Sequence, residues 1–404
     1  MKPLNIGILR EGRIPHDRRV ALTPNHCMAL VQQYPHITIY VQPSHIRCFP
    51  DEDYSSLGFQ ITEDLSHCDL LFGVKEVQIS NLIADKTYFF FSHTIKKQPY
   101  NRSLLQTIMQ KNIRLIDYEC LTDVNGDRVI AFGRYAGIVG AYNGVLTYGQ
   151  RYGLFQLKRA YQCIDFDEVK SECEKIVLPP IKILITGNGR VAKGAKEMMA
   201  VMNIKQVSVD QYLYETFTEP VYVQLNSEDY HVQKQGKKFN NKYFHEFPHD
   251  HLSSFYRFTK VTDLLLACAY WHPHAPLLFT KDRMKQNDFK IKVIADITCD
   301  INGSIPATMR ASSIEDPFYD YNPKTEQLDR AFVSHENITL MAVDNLPGEL
   351  PRNASNDFGE ILTNLIIPNL LAGDTEKIIE RATITQDGVL TDKFNYLQDY
   401  VNEG

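Results

Sequence analysis

Long apolar runs are missing from this chain. No stretch approaches the ~18 continuous apolar residues of a membrane-spanning helix, so no membrane partner is expected. A basic excess is missing too. The 404 residues carry 43 Lys and Arg against 49 Asp and Glu, a net charge of −6. That is the wrong sign for a nucleic-acid footprint. The longest basic cluster, "KQGKKFNNK" from Lys234 to Lys242, is diluted with amides and a glycine and reads as a solvated loop. Paired cysteine spacing is also absent. The eight cysteines are scattered with no C-x-x-C, which fits reduced thiols better than a disulfide framework. The same scatter offers no zinc-ligand spacing, so no metal is expected. The opening "MKPLNIGILRE" goes straight into a strand pattern. No signal peptide is therefore expected, and a cytoplasmic location is.

What is present is alternation. Strand-like and helix-like stretches follow one another through most of the chain, which argues for an α/β protein. "NIGILRE" (5–11), "ITIYVQ" (37–42), "DLLFGVK" (69–75), "TYFFFSH" (87–93) and "RLIDYEC" (114–120) read as strands. Residues 23–34 begin with Thr-Pro, an N-cap and N1 pair, and continue as a helix. Together they make one α/β unit. Residues 135–155, rich in small and apolar types, read as a long helix leading to a second unit. Its glycines cost helix propensity, so close packing or close approach to a ligand is expected of them. Strands are then expected at 262–271, 291–300 and 338–347, a helix at 356–373, and a returning segment at 382–401 that packs on the first unit. The polar stretch 211–260 has no evident role. Two apolar runs end in ionisable residues, Lys75 and His93. Buried strands that end this way aim the group at the sheet edge, where open α/β sheets bind ligands.

The strongest local signal is "ILITGNGRVAKGA", with Gly187, Gly189 and then Ala192. It matches G-x-G-x-x-G/A after a strand and at a helix start. Gly187 permits the tight turn, and Gly189 lets the backbone approach a pyrophosphate. The helix N-terminus supplies unpaired N–H groups and a partial positive charge. Arg190 could meet a phosphate or face solvent, and Val191 and Tyr270 complete the expected cofactor set. Asp210 stands 21 residues after Gly189. A carboxylate there would accept ribose hydroxyls and repel a 2′-phosphate. That favours NAD, with NADP left possible.

Several blocks together carry a family resemblance: "DRRVALTP" (17–24), "GVKE" (73–76), "FSHT" (91–94), "LIDYECLTDVNGDRVIAFGRYAG" (115–137) and "VDNLPGELPRNAS" (343–355). The chain resembles the lysine-forming saccharopine dehydrogenases. It looks most like the lysine–2-oxoglutarate reductase domain of the bifunctional aminoadipic semialdehyde synthases, and more distantly like alanine dehydrogenase and transhydrogenase. The resemblance implies two Rossmann-like domains separated by a cleft, a formate/alanine-dehydrogenase-like architecture. A substrate domain of 1–136 plus 348–404 would stand beside a dinucleotide domain of 137–347.

It also implies an activity: interconversion of saccharopine with L-lysine and 2-oxoglutarate through an imine. In this family a lysine and a histidine carry the acid–base chemistry, and they match Lys75 and His93. Arg19 and Arg128 match arginines that hold substrate carboxylates, with Arg18 one residue out of register. Glu76 and Glu119 match acidic positions of the substrate site, and Asp344 an aspartate near the nicotinamide ribose. The implied partners are small molecules, an amino acid and a 2-oxo acid, and the implied state is a monomer or small homo-oligomer. The reductase domains generally use NADPH, in conflict with Asp210. Two other functions stay open: a related amino-acid or opine dehydrogenase, and a non-catalytic dinucleotide-binding protein on the same fold. A sensor has no need of the Lys75–His93 pair.

Overall fold

The computed structural model describes residues 2–403. The chain divides into two compact units, Met1–Phe132 with Pro351–Gly404, and Gly133–Leu350. The expected α/β alternation is present in both. In the first unit the strands are β1 (Leu4–Ile8), β2 (Ile37–Val41), β3 (Gln60–Ile61), β4 (Leu70–Phe72), β5 (Thr87–Phe90) and β6 (Arg114–Asp117). The second holds β7 (Lys182–Thr186), β8 (Lys205–Gln206), β9 (Val221–Leu225), β10 (His231–Gln233), β11 (His251–Ser253), β12 (Leu264–Ala267), β13 (Val293–Asp296), β14 (Phe318–Asn322), β15 (Gln327–Asp329) and β16 (Ile338–Met341). The chain then returns to the first unit as β17 (Thr383–Gln386) and β18 (Val389–Leu390).

The first sheet runs β18-β17-β6-β5-β4-β1-β2-β3. Strands β1 to β6 pair in parallel and β17 adds antiparallel to β6. Central strands are apolar on both faces. Leu70, Leu71 and Phe72, then Tyr88, Phe89 and Phe90, are all buried, as parallel strands covered on both sides must be. Thr23 caps the helix Pro24–Gln33 by accepting the His26 N–H, with Pro24 at its first position.

The second sheet runs β15-β14-β16-β13-β12-β7-β9-β8. Its parallel core is β16-β13-β12-β7-β9-β8, and β14 and β15 add an antiparallel edge. The helix Gly133–Tyr152 belongs to this unit. Its glycines serve packing. A Cβ on Gly137 would lie 1.9 Å from the Val191 carbonyl oxygen, and one on Gly144 would lie 2.7 Å from a Leu266 methyl. Two helices and a sheet can approach this closely only where side chains are missing.

The stretch 211–260 is the main departure from the expected polar loop. It contains β9, a full member of the sheet, then a β10–β11 hairpin that carries the helix Asn241–Glu246. The alternation in "VYVQL" (221–225) was the available signal.

Candidate active site

Lys75 and His93 leave the carboxyl ends of neighbouring parallel strands. Phe72 of β4 pairs with Phe89 of β5, and the pairing runs on as Phe91 N donates to Val74 O at 3.0 Å. His93 sits in the left-handed backbone region, φ 54°, which turns its ring back toward Glu76. Its Nδ1 bonds Glu76 Oε1 directly. Burial works to raise the Glu76 carboxyl, but the bond and charge of His93 outweigh it and leave Glu76 below its ordinary range.

Lys75 is held from beneath. Glu11 is buried, and its carboxylate accepts Val74 N–H at 2.7 Å and Lys75 N–H at 2.8 Å. Burial and the neighbouring Asp17 push Glu11 up to about 8, against those two bonds and the Arg19 charge. Lys75 moves the other way. Burial first, then the Arg19 charge, lowers its ammonium from the ordinary value, as desolvation and like charge must. Sequence reasoning missed Glu11, whose only mark is its place just past β1.

Arg19 does not present an open fork. It is 2% exposed, and its Nε and Nη2 bond Asp17 at 2.9 and 2.5 Å. Its guanidinium lies 4.1 Å from the Phe132 ring centroid, and Phe132 stacks on Phe358 at 4.5 Å. The fork expected to hold a substrate carboxylate thus holds Asp17, because a fully buried guanidinium needs its own counter-ion. Arg18 is exposed, with Nε 3.4 Å from Ile46 O. Arg128 is a third exposed and pairs with Glu119 at 2.6 Å, where Lys96 adds a looser contact at 3.8 Å. Glu76 and Glu119 each keep one buried oxygen, Oε2, with no hydrogen-bond partner. The Arg13 guanidinium stands 3.9 Å from Glu76 Oε2.

In the second unit the glycine turn closes β7. Gly187 has φ +84°, and a Cβ there would meet Ala269 Cα at 2.9 Å. Gly189 leads the helix Arg190–Val201 without a side-chain cap, and a Cβ built on it meets nothing within 4 Å. Uncapped N–H groups facing open space are what a pyrophosphate requires. The space is a cavity of about 670 Å³, within the ~300–1,000 Å³ of small-molecule sites. Gly187, Gly189, Arg190, Val191 and Tyr270 line it. These residues fit a dinucleotide. Among the described residues no His, Cys, Asp or Glu cluster could hold a metal ion, and no helix is long and apolar enough to cross a membrane.

The chain has relatives that match 90% or more of its length. An alpha-aminoadipic semialdehyde synthase of Arabidopsis thaliana is 30% identical over 97% of this chain and 41% of its own. A saccharopine dehydrogenase (NAD(+), L-lysine-forming) of Yarrowia lipolytica is 23% identical over 90% of both chains. The chain spans less than half the length of the semialdehyde synthases it matches. The fold is that of an L-alanine dehydrogenase structure, with a TM-score of 0.67 at 16% identity, covering 98% of this chain and 100% of that one. Residues 7–139 match the model of the alanine dehydrogenase/PNT N-terminal domain. Over this segment, about a third of the chain, it is similar to the alanine dehydrogenase/PNT N-terminal domain.

The matched segment holds Arg19, Lys75, Glu76, His93, Glu119 and Arg128. The expected dinucleotide residues follow it, and two of them lie outside the cavity. Asp210 is exposed in the first turn of the helix Val209–Tyr214 and does not line the cavity. The reason is topological. The strand that precedes it, β8, is a two-residue edge strand, and β9 takes the place beside β7. Leu225 O accepts the Gly187 N–H at 2.8 Å, and Gln224 Nε2 donates to Gly187 O at 2.8 Å. The chain just past β9, Asn226, Ser227 and Glu228, therefore lines the cavity. Glu228 is the acid next to β9 that lines it. Asp344 is exposed after β16 and does not line the cavity either.

Proposed function

We propose that this chain interconverts saccharopine with L-lysine and 2-oxoglutarate, using NAD(H). The observation that carries it is the pair Lys75 and His93 on adjacent strand ends, with Glu76 bonded to the histidine and Glu11 clamping the lysine backbone. The name of one matching relative supplies saccharopine and L-lysine, and 2-oxoglutarate is the keto acid that balances them.

In the reductive direction the ε-amine of lysine attacks the keto carbon of 2-oxoglutarate. Water leaves, and an imine forms. The nicotinamide, when bound, supplies the hydride that turns this imine into the secondary amine. The protein's own work is proton transfer and charge. Lys75, with its ammonium destabilised by burial and by Arg19, gives up a proton more readily than a free lysine. It takes the proton of the attacking amine. Histidine side chains exchange protons near neutral pH. His93, its ring held by Glu76, gives a proton to the departing hydroxyl. Arg128 meets a substrate carboxylate, while Arg19 acts through its charge. Glu76 and Glu119 tune the charge around His93 and Arg128.

NAD(H) is favoured over NADP(H) by Glu228, whose carboxylate would repel a 2′-phosphate. Oxidation of NADH and of NADPH, each with 2-oxoglutarate and L-lysine, tests both points. Lysine-dependent turnover with NADH is expected, and Glu228→Ser should raise the NADPH-to-NADH ratio of kcat/KM at least about tenfold. Turnover with pyruvate and ammonia alone would move the substrate elsewhere in the family.

A further inference from the structure

The segment after β9 does more than connect strands. Residues 226–253 leave the sheet, form the β10–β11 hairpin and return. Inside it Phe244 is a buried hub. Its ring lies 4.4 Å from His231, 5.5 Å from Phe239 and 5.0 Å from His251, edge-on in the last case. Asn240 caps the helix Asn241–Glu246 by accepting the Tyr243 N–H at 2.9 Å, and Tyr243 Oη bonds Asp250. The hairpin is thus an ordered aromatic module, and one side of it, Phe239, Asn241 and His245, forms a wall of the glycine-turn cavity.

Which end of a dinucleotide meets this wall follows from topology. A dinucleotide lies across the carboxyl ends of a parallel sheet, one nucleotide on each side of the first strand. The acid that binds the adenosine ribose comes from the strand beside the first, on the side away from the later strands. Here that strand is β9, and the module follows it directly. The β12 and β13 side, with Tyr270, Ile297 and Thr298, takes the other half.

Resting on the dinucleotide reading above, we infer that the 226–253 module is the adenosine subsite of this chain, with Phe239 and His245 offering ring faces to the adenine and Glu228 accepting from its ribose. The rings suit a purine, since aromatic faces stack on bases whatever their hydrogen-bonding pattern. Phe239 is held from behind by Phe244 and His251, at 5.5 and 5.7 Å, so little ordering is needed on binding.

Calorimetric titration of the full chain with ADP-ribose and with NADH tests this without turnover. Two variants are used, Phe239→Leu, which keeps an apolar side chain on the hub, and His245→Ala, which changes an exposed residue. Each should weaken ADP-ribose binding at least about fivefold, the low end of losing one stacked face, and weaken NADH by the same factor. Wild-type affinity for both ligands in both variants would overturn the adenosine assignment while leaving dinucleotide binding intact. A wild-type protein that binds neither ligand would overturn the dinucleotide reading and this inference with it.

Discussion

Glu11 shows how depth sets a residue's behaviour. Buried against Asp17, it is raised from an ordinary 4.5 to about 8. A raised carboxyl binds its proton more tightly in the folded state than in the unfolded one. Stability from this group is therefore present at low pH and is lost as pH rises from about 4.5 to about 8, with no further change above. Chemical denaturation across that window should show the wild type losing stability relative to Glu11→Gln, which does not titrate. Parallel curves would rule this out. Lys75 and His93 are judged by rate. Lys75→Met and His93→Gln should each lower kcat at least about tenfold, with the far-ultraviolet dichroism unchanged. The strand-end pattern made both visible in the sequence. Glu11 was invisible because a lone glutamate past a strand carries no signal until β1 and β4 are seen side by side.

Among elements, the contact between the helices Gly133–Tyr152 and Arg190–Val201 is the tightest. Gly137 faces the Val191 carbonyl, and a Cβ on Gly194 would come 2.0 Å from the Arg134 carbonyl oxygen. Backbone cannot yield as a side chain can. Gly137→Ala should cost about 1–3 kcal/mol and, on the proposed reading, also weaken NADH binding, because Val191 lines the glycine-turn cavity. Thermal unfolding and NADH titration of the one variant check both parts. A variant as stable as wild type would mean that the helices separate at no cost. The sequence marked these glycines as unusual for a helix but left packing and ligand approach open. Only the neighbouring helix decides between them.

For the whole molecule, thiols give a direct check. All eight cysteines are free, seven of them buried and Cys299 half-buried. Reductant should leave the melting temperature unchanged, and native-state alkylation should be slow and fall first on Cys299. Rapid loss of several thiols without denaturant would contradict the buried placement. The sequence by itself determined the α/β class, the glycine turn and the two ionisable strand ends. Each is written in a local period or a short motif, and local rules fix local structure. Tertiary structure decided the rest. It put Glu228 rather than Asp210 on the cavity wall, because β9 and not β8 pairs with β7. It closed the Arg19 fork on Asp17 and made 226–253 a wall of a cavity. Strand order and the partner of a buried charge depend on residues far apart in the chain, and no periodicity records them.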